Sequence, residues 1–279
     1  MTILMRKMTA ILLLTALLLT ALPAIPAMPA AMAEEEYDLS DIDGVVIEDT
    51  TIDPPGWNFA LCLSDIDPEL VKLANKTCLL SSDYEPSSKK KMTLRKASGT
   101  STMYLQTECA EALEQLFAGA EAAGYLLYLK SAYRAYSTQK TMYSNRLKKN
   151  NGKDDGWVSK PGASDHQTGL GCDVLPKSWR NKSAMNSTMA SEPECQWMAE
   201  HCWEYGFVIR YPEDKVDITE INYEPWHLRY VGKEVASYMW HNNLCLEEFH
   251  VELQAAIDAF LEAGGDINRV QKLIQTSAE

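Results

Sequence analysis

Basic residues are scarce in this chain: 26 Lys and Arg stand against 39 Asp and Glu, a formal net charge of −13. A protein that binds nucleic acid needs a basic face to neutralise phosphates. Positive charge is concentrated only at Lys89-Lys90-Lys91 and Lys148-Lys149, so the sequence argues against a nucleic-acid partner. Cysteine is also used sparingly. Seven in 279 residues do not make a disulfide-dense scaffold, and their odd number leaves at least one unpaired within the chain. No CxxC occurs, which argues against a cysteine zinc site. Cys195 and Cys202 fall on one predicted helix, where seven residues of rise separate Cα atoms by roughly 10 Å, too far for a bridge. Internal repeats are absent. With 46% hydrophobic and 23% charged residues, the composition is that of an ordinary folded domain.

What is present begins with an address. Arg6 and Lys7 precede an apolar run from Ala10 to Leu22, then Pro23, Pro26 and Pro29, and then Ala31-Met32-Ala33 as a small-x-small cleavage pattern. The run is short for a bilayer span and the prolines would break its continuation. Residues 1–33 therefore read as a signal peptide, and the protein as secreted, extracellular or cell-wall associated, with no integral membrane span after cleavage. Residues 34–58, with Glu34-Glu35-Glu36 and Pro54-Pro55-Gly56, read as an acidic linker. Residues 59–265 read as the folded domain, and 266–279 as a C-terminal tail.

Within the domain, Cys109, Ala112, Leu113, Leu116, Phe117 and Ala120 recur at helical spacing, predicting a helix over 107–123 closed by Gly124. Strands are expected at 125–131, 169–174 and 207–211, with an extended stretch at 223–231. Helices are expected at 137–147, 189–205, 233–242 and 246–261. This mixed order predicts an α+β fold rather than a βαβ array.

Three segments carry polar side chains where a simple core element would not want them. In Ser164-Asp165-His166 through Asp173, His166 follows a Pro-Gly turn, and Asp173 sits in an otherwise apolar strand, where a carboxylate is costly unless paired or metal-bound. In Glu224-Pro225-Trp226-His227, a carboxylate precedes a histidine by three residues. Ser131-Ala132-Tyr133-Arg134 ends the 125–131 strand. Two histidines and one carboxylate suffice for a catalytic zinc that keeps a fourth position for water, and Glu224 is the natural proton acceptor. In a regular strand Glu224 and His227 would point to opposite faces, so a shared site requires a bend between them. Spacing alone supports equally well a turn-capping His166, a salt-bridged Asp173 and a core His227. His201, His241 and His250 fall in predicted helices and read as ordinary surface or partly buried histidines. Trp197, Trp203 and Trp240 read as core rather than as a sugar platform.

The order of four motifs resembles the zinc D-alanyl-D-alanine carboxypeptidases of the VanY type. The family patterns S-G-Y-R, P-G-x-S-x-H-x-x-G-L-x-x-D, Y-G-F-x-x-R-Y-P and E-P-W-H-x-R-Y-V-G correspond to Ser131–Arg134, Pro161–Asp173, Tyr205–Pro212 and Glu224–Gly232. The resemblance implies a fold like that of the D-Ala-D-Ala peptidases and Hedgehog proteins, a small antiparallel sheet carrying Zn2+ and flanked by helices. It implies His166, Asp173 and His227 as metal ligands and Glu224 as catalytic base. Arg134 is implied as the group meeting a terminal carboxylate or developing oxyanion, and Gln139 and Ser164 as substrate-contacting polar groups. Trp226, between Glu224 and His227, is expected to shape the site. The implied partner is a peptidoglycan stem peptide, acted on by a monomer that removes its C-terminal D-alanine. L,D-cleavage of a tetrapeptide stem, or a zinc-retaining wall-binding module without hydrolysis, are the alternatives. The presence of Glu224 argues against the latter. Two positions depart from the family pattern: Ala132 stands in place of glycine, and Gly171-Cys172 precedes Asp173. Alternation along the strand turns Cys172 away from the site and into the core.

Overall fold

The computed structural model describes residues 63–277, so the predicted signal peptide and acidic linker lie outside the described residues. The first elements are a short antiparallel ribbon, β1 (Lys90–Lys91) with β2 (Tyr104–Leu105), and helix α1 (Thr107–Ala122). The helix forms where the spacing predicts it and buries Cys109, Leu113, Leu116, Phe117 and Ala120 on one face. It ends at Gly124, whose φ of 91° lets the chain reverse while the amide of Tyr125 donates to the carbonyl of Ala120.

Strand β3 (Leu127–Ser131) leads through Arg134 into α2 (Tyr136–Lys149). A long loop and the one-turn helix α3 (Asp165–Thr168) follow, then β4 (Gly171–Pro176), buried along its whole length. After α4 (Pro193–His201) come β5 (Phe207–Ile209), α5 (Val216–Thr219) and β6 (His227–Tyr230). The four strands form one antiparallel sheet in the order β3-β4-β6-β5, with β4 and β6 at its centre. This is the α+β arrangement the sequence predicts. Leu113, Leu116, Leu129, Cys172 and Leu228 meet in one core between α1 and the sheet, and Cys172 is fully buried there, as its strand position requires.

Several expectations need correction, among them Trp240, which reads as core in the sequence but is 45% exposed at the end of its helix. The single helix over 189–205 is three pieces: a 3₁₀ turn at Ser187–Ser191, α4, and a second 3₁₀ turn at Cys202–Tyr205. Pro193 at the start of α4 lacks the N–H that a continuing helix would use and would clash with the turn before it. The extended stretch 223–231 is also interrupted: the amide of His227 donates to the carbonyl of Glu224 at 3.0 Å, a tight turn, and β6 begins only at His227.

Helices α6 (Lys233–His241) and α7 (Leu246–Glu262) are followed by α8 (Ile267–Ser277), within the stretch set apart above as a tail. Val270 and Leu273 of α8 are buried against a second core with Phe249, Leu253 and Ile257 of α7. Two apolar side chains of this size contribute about 3 kcal/mol or more when buried. Truncation after Gly265 is therefore expected to lower Tm by about 5–10 °C in a thermal melt; an unchanged Tm would show that α8 adds nothing to the fold. Among the described residues no helix is long and apolar enough to cross a membrane. The six described cysteines are all unpaired, and of these only Cys78 is exposed.

Candidate metal centre and active site

The register of the central strands brings the predicted side chains together. Asp173 of β4 lies directly opposite His227 of β6, and Ser131 of β3 pairs with Asp173 on its other side. Residues opposite each other on antiparallel strands project to the same face, so the pairing places the carboxylate beside the imidazole. His227 Nδ1 is 3.0 Å from Asp173 Oδ1, and His166 Nε2, delivered by α3, is 3.4 Å from Asp173 Oδ2. One candidate ligand atom from each of the three residues falls within 4.8 Å of the others, and all three residues are buried.

This donor set fits zinc. Bonds of 2.0–2.1 Å in a tetrahedral site place neighbouring donors about 3.3 Å apart, close to the two separations found here. The second nitrogen of His166, Nδ1, lies 2.8 Å from the carbonyl oxygen of Ala132. That contact sets the tautomer, with Nδ1 donating and Nε2 left with its lone pair toward Asp173. Burial, and then the charge of Arg134, hold His166 below its ordinary pKa, against the opposing pull of Asp173. Burial alone would raise the Asp173 carboxyl, but His166 and His227 more than offset this and hold it well below the usual carboxylate range. The outer nitrogen of His227, Nε2, is buried without a hydrogen-bond partner.

Glu224 reaches the same place across the turn that precedes β6, with Oε2 3.8 Å from His227 Nδ1 and its side chain only 12% exposed. Burial first, and the charge of Asp173 second, push its carboxyl well above the ordinary value, while Arg134 pulls it back. The Arg134 backbone amide donates to the carbonyl of His166 at 3.0 Å. Its guanidinium donates from Nη1 to Gln139 Oε1 at 2.8 Å and from Nη2 to Ser131 Oγ at 3.0 Å. Two of five donors are thereby anchored, fixing the plane and leaving the others for an anion.

These residues line one cleft of about 390 Å³, together with Ser164, Trp226, Trp157, Met185 and Tyr211. Trp226 is buried and stacks on Trp157, with ring centroids 6.3 Å apart and planes 14° from parallel. Gln139 lines the cleft, where its Oε1 accepts from Arg134 and its Nε2 donates to the carbonyl of Ser159 at 2.6 Å. It thereby helps to orient Arg134. A larger groove of about 890 Å³, between residues 72–84 and α7, contains none of the ligand residues, Glu224 or Arg134. His201, His241 and His250 are not among the residues that line the cleft.

Behind the ligands lies a buried charged network. Asp165 is fully buried, and its Oδ2 accepts from Arg210 Nε at 2.7 Å while its Oδ1 accepts from Arg229 Nη1. Arg210 also donates from both terminal nitrogens to Glu247, at 2.8 and 2.7 Å. Asp165, Arg210 and Arg229 each fall inside one of the motifs quoted above, the only trace of this network in the sequence.

Residues 102–233 match the protein family described as VanY: D-alanyl-D-alanine carboxypeptidase. The chain is 38% identical over 195 residues to YodJ of Bacillus subtilis (strain 168), covering 66% of this chain and 68% of that protein. It is 35% identical over 147 residues to a D-alanyl-D-alanine carboxypeptidase of Enterococcus faecalis, covering 49% of this chain and spanning about half (52%) of that relative's length. Among solved structures, the LdcB LD-carboxypeptidase is similar at a TM-score of 0.61 and 38% identity, over 65% of this chain and 86% of that one. The zinc-bound D,D-pentapeptidase VanY of a VanB-type vancomycin resistance cassette is similar at a TM-score of 0.51 and 28% identity, over 65% and 98% of the two chains.

Proposed function

Because this chain belongs to the VanY family of D-alanyl-D-alanine carboxypeptidases, we propose that it is a secreted zinc enzyme that removes the C-terminal D-alanine from peptidoglycan stem peptides. The observation that carries this reading is the convergence in one cleft of a buried His166–Asp173–His227 set, the carboxylate of Glu224 and the anchored guanidinium of Arg134. A zinc-retaining binding module would have no use for a desolvated carboxylate beside the ligands. Secretion is supported by the basic, apolar and small-residue pattern of residues 1–33.

Zinc bound by the triad would supply Lewis acidity, acidifying water and polarising a carbonyl. The remaining work falls to the chain. Arg134 binds the terminal carboxylate of the stem peptide through its free donors and so sets which peptide bond lies over the ligands. Glu224, whose proton affinity is raised by burial, takes a proton from the attacking water and passes it to the departing D-alanine amine. Trp226 and Trp157 wall the cleft beside the ligands.

A second reading, L,D-cleavage of a tetrapeptide, is supported by the similarity to LdcB. Purified protein assayed with pentapeptide and tetrapeptide stems, with and without chelator, and with mass detection of released alanine, separates the two. Chelator-sensitive release from the pentapeptide supports D,D-cleavage, and release from the tetrapeptide alone supports the other. No release from either sinks the proposal.

The role of Arg134 has its own test. An amidated peptide is expected to be a far poorer substrate than the free acid for the wild type, on the order of a hundredfold in kcat/KM, and little worse for Arg134→Met. If Arg134 acts instead on the oxyanion, the mutation will depress both substrates alike and the preference for the free acid will survive.

A further inference from the structure

Asp165 stands next to His166 at the start of α3, and its carboxylate is fully buried. Both oxygens are held by arginines from other elements. Arg229 belongs to β6, two residues beyond His227. Arg210 follows β5, and its backbone amide donates to the carbonyl of His227 at 3.1 Å. The third ligand-bearing element, β4, touches the same residue. A Cβ built on Gly171, two residues before Asp173 in β4, would lie 2.9 Å from Asp165 Cβ and 3.0 Å from its carbonyl carbon, so strand and acid are in direct contact. Every candidate ligand is thus one or two residues from a group that touches Asp165.

The network is also tied outward. Arg229 Nη2 donates to the carbonyls of Leu70 and Lys72 at 2.9 and 2.8 Å, and Arg210 holds Glu247 of α7 with two bonds. Two arginines and two carboxylates balance in charge, which is the condition for keeping them buried. None of these four residues lines the cleft; Tyr211, in its wall, donates from its hydroxyl to Asp165 Oδ2 at 3.5 Å.

We infer that Asp165 is a positioning residue, whose carboxylate locks α3, β4 and β6 together and so sets the spacing of His166, Asp173 and His227 for metal. This rests on the zinc reading of the site and adds a residue that the family motif leaves without a role. Loss of a partner behind the ligands typically weakens metal binding ~10- to 100-fold, because the ligands no longer start in the bound geometry. A contribution to folding alone would not do this.

The test measures zinc affinity of the purified full chain by competition with a chromophoric chelator, below the Tm of every variant. The visible spectrum of the cobalt-substituted protein reports coordination geometry. Asp165→Asn is expected to bind zinc ~10- to 100-fold more weakly and to shift the cobalt bands. Leu253→Ala, which opens a cavity in the second core, is the stability control; it should lower Tm yet leave affinity and spectrum unchanged. Arg210→Lys keeps the charge, but its one ammonium nitrogen cannot span Asp165 and Glu247 as the three nitrogens of the guanidinium do, and it should move both readouts in the same direction. It also serves if Asp165→Asn does not fold. Wild-type affinity and an unshifted spectrum in the folded variants would overturn the inference, as would a loss of affinity that merely tracks Tm across all three. A wild type that binds no zinc would instead overturn the reading on which the inference rests.

Discussion

Replacing Glu224 by Gln is expected to lower kcat by about 10³-fold, within the range for loss of a general acid–base group, while zinc stays bound and the chain stays folded. The carboxylate is within 3.8 Å of His227 but outside the ligand triad, so its loss should not empty the metal site. Gln keeps the size and removes the proton acceptor. Since Arg134 and the cleft walls are untouched, KM should change little, and kcat and kcat/KM should fall together, the signature of an interaction made only in the transition state. Steady-state kinetics with metal analysis on the same sample decide the matter. Near-normal turnover would mean that another group moves the proton, and lost zinc would mean that Glu224 is a ligand.

The second large effect is on the metal itself. The wild type is expected to carry about one zinc per chain, and His166→Ala to retain little of it after dialysis, with activity falling at least as far as in Glu224→Gln. His166 supplies one of only three protein donors, and no other described histidine lines the cleft except His227. Its loss also removes a partner of the buried Asp173 carboxylate. Metal binding and folding are linked: at free zinc 1,000-fold above Kd, the native state gains about 4 kcal/mol. A chelator should therefore lower the Tm of the wild type by several degrees and leave that of His166→Ala almost unmoved. Stoichiometric zinc in the variant would reject His166 as a ligand, whatever the activity.

Several features of the fold were written in short stretches of sequence. Cys109 to Ala120 repeat at helical spacing and became α1, because an amphipathic period needs only its own residues to declare itself. Gly124 and Gly206 stand where φ of 91° and 85° ends a helical stretch, a local demand that glycine meets at least cost. Asp173 was conspicuous for the same reason, as a charge in an apolar strand with no local partner to justify it. The motifs placed His166, Asp173, Glu224 and His227 as candidates, and the need for a bend between Glu224 and His227 followed from strand alternation; the turn is there.

Other features were decided by tertiary structure. No spacing rule could show that Asp173 faces His227, since strand register depends on which strands become neighbours 54 residues apart. The periodicity of residues 189–205 favoured one helix, and the backbone chemistry of Pro193 overrode it. The C-terminal stretch looked detached because the apolar face of α8 has meaning only against α7. That Gln139 bridges Arg134 and Ser159 is likewise a product of the fold, since nothing in the local sequence joins those residues. Asp165, Arg210, Arg229 and Glu247 read in sequence as ordinary charged residues. Their partners lie 37 to 64 residues away, and a charge becomes a buried structural element only when the fold brings its counter-charge to meet it.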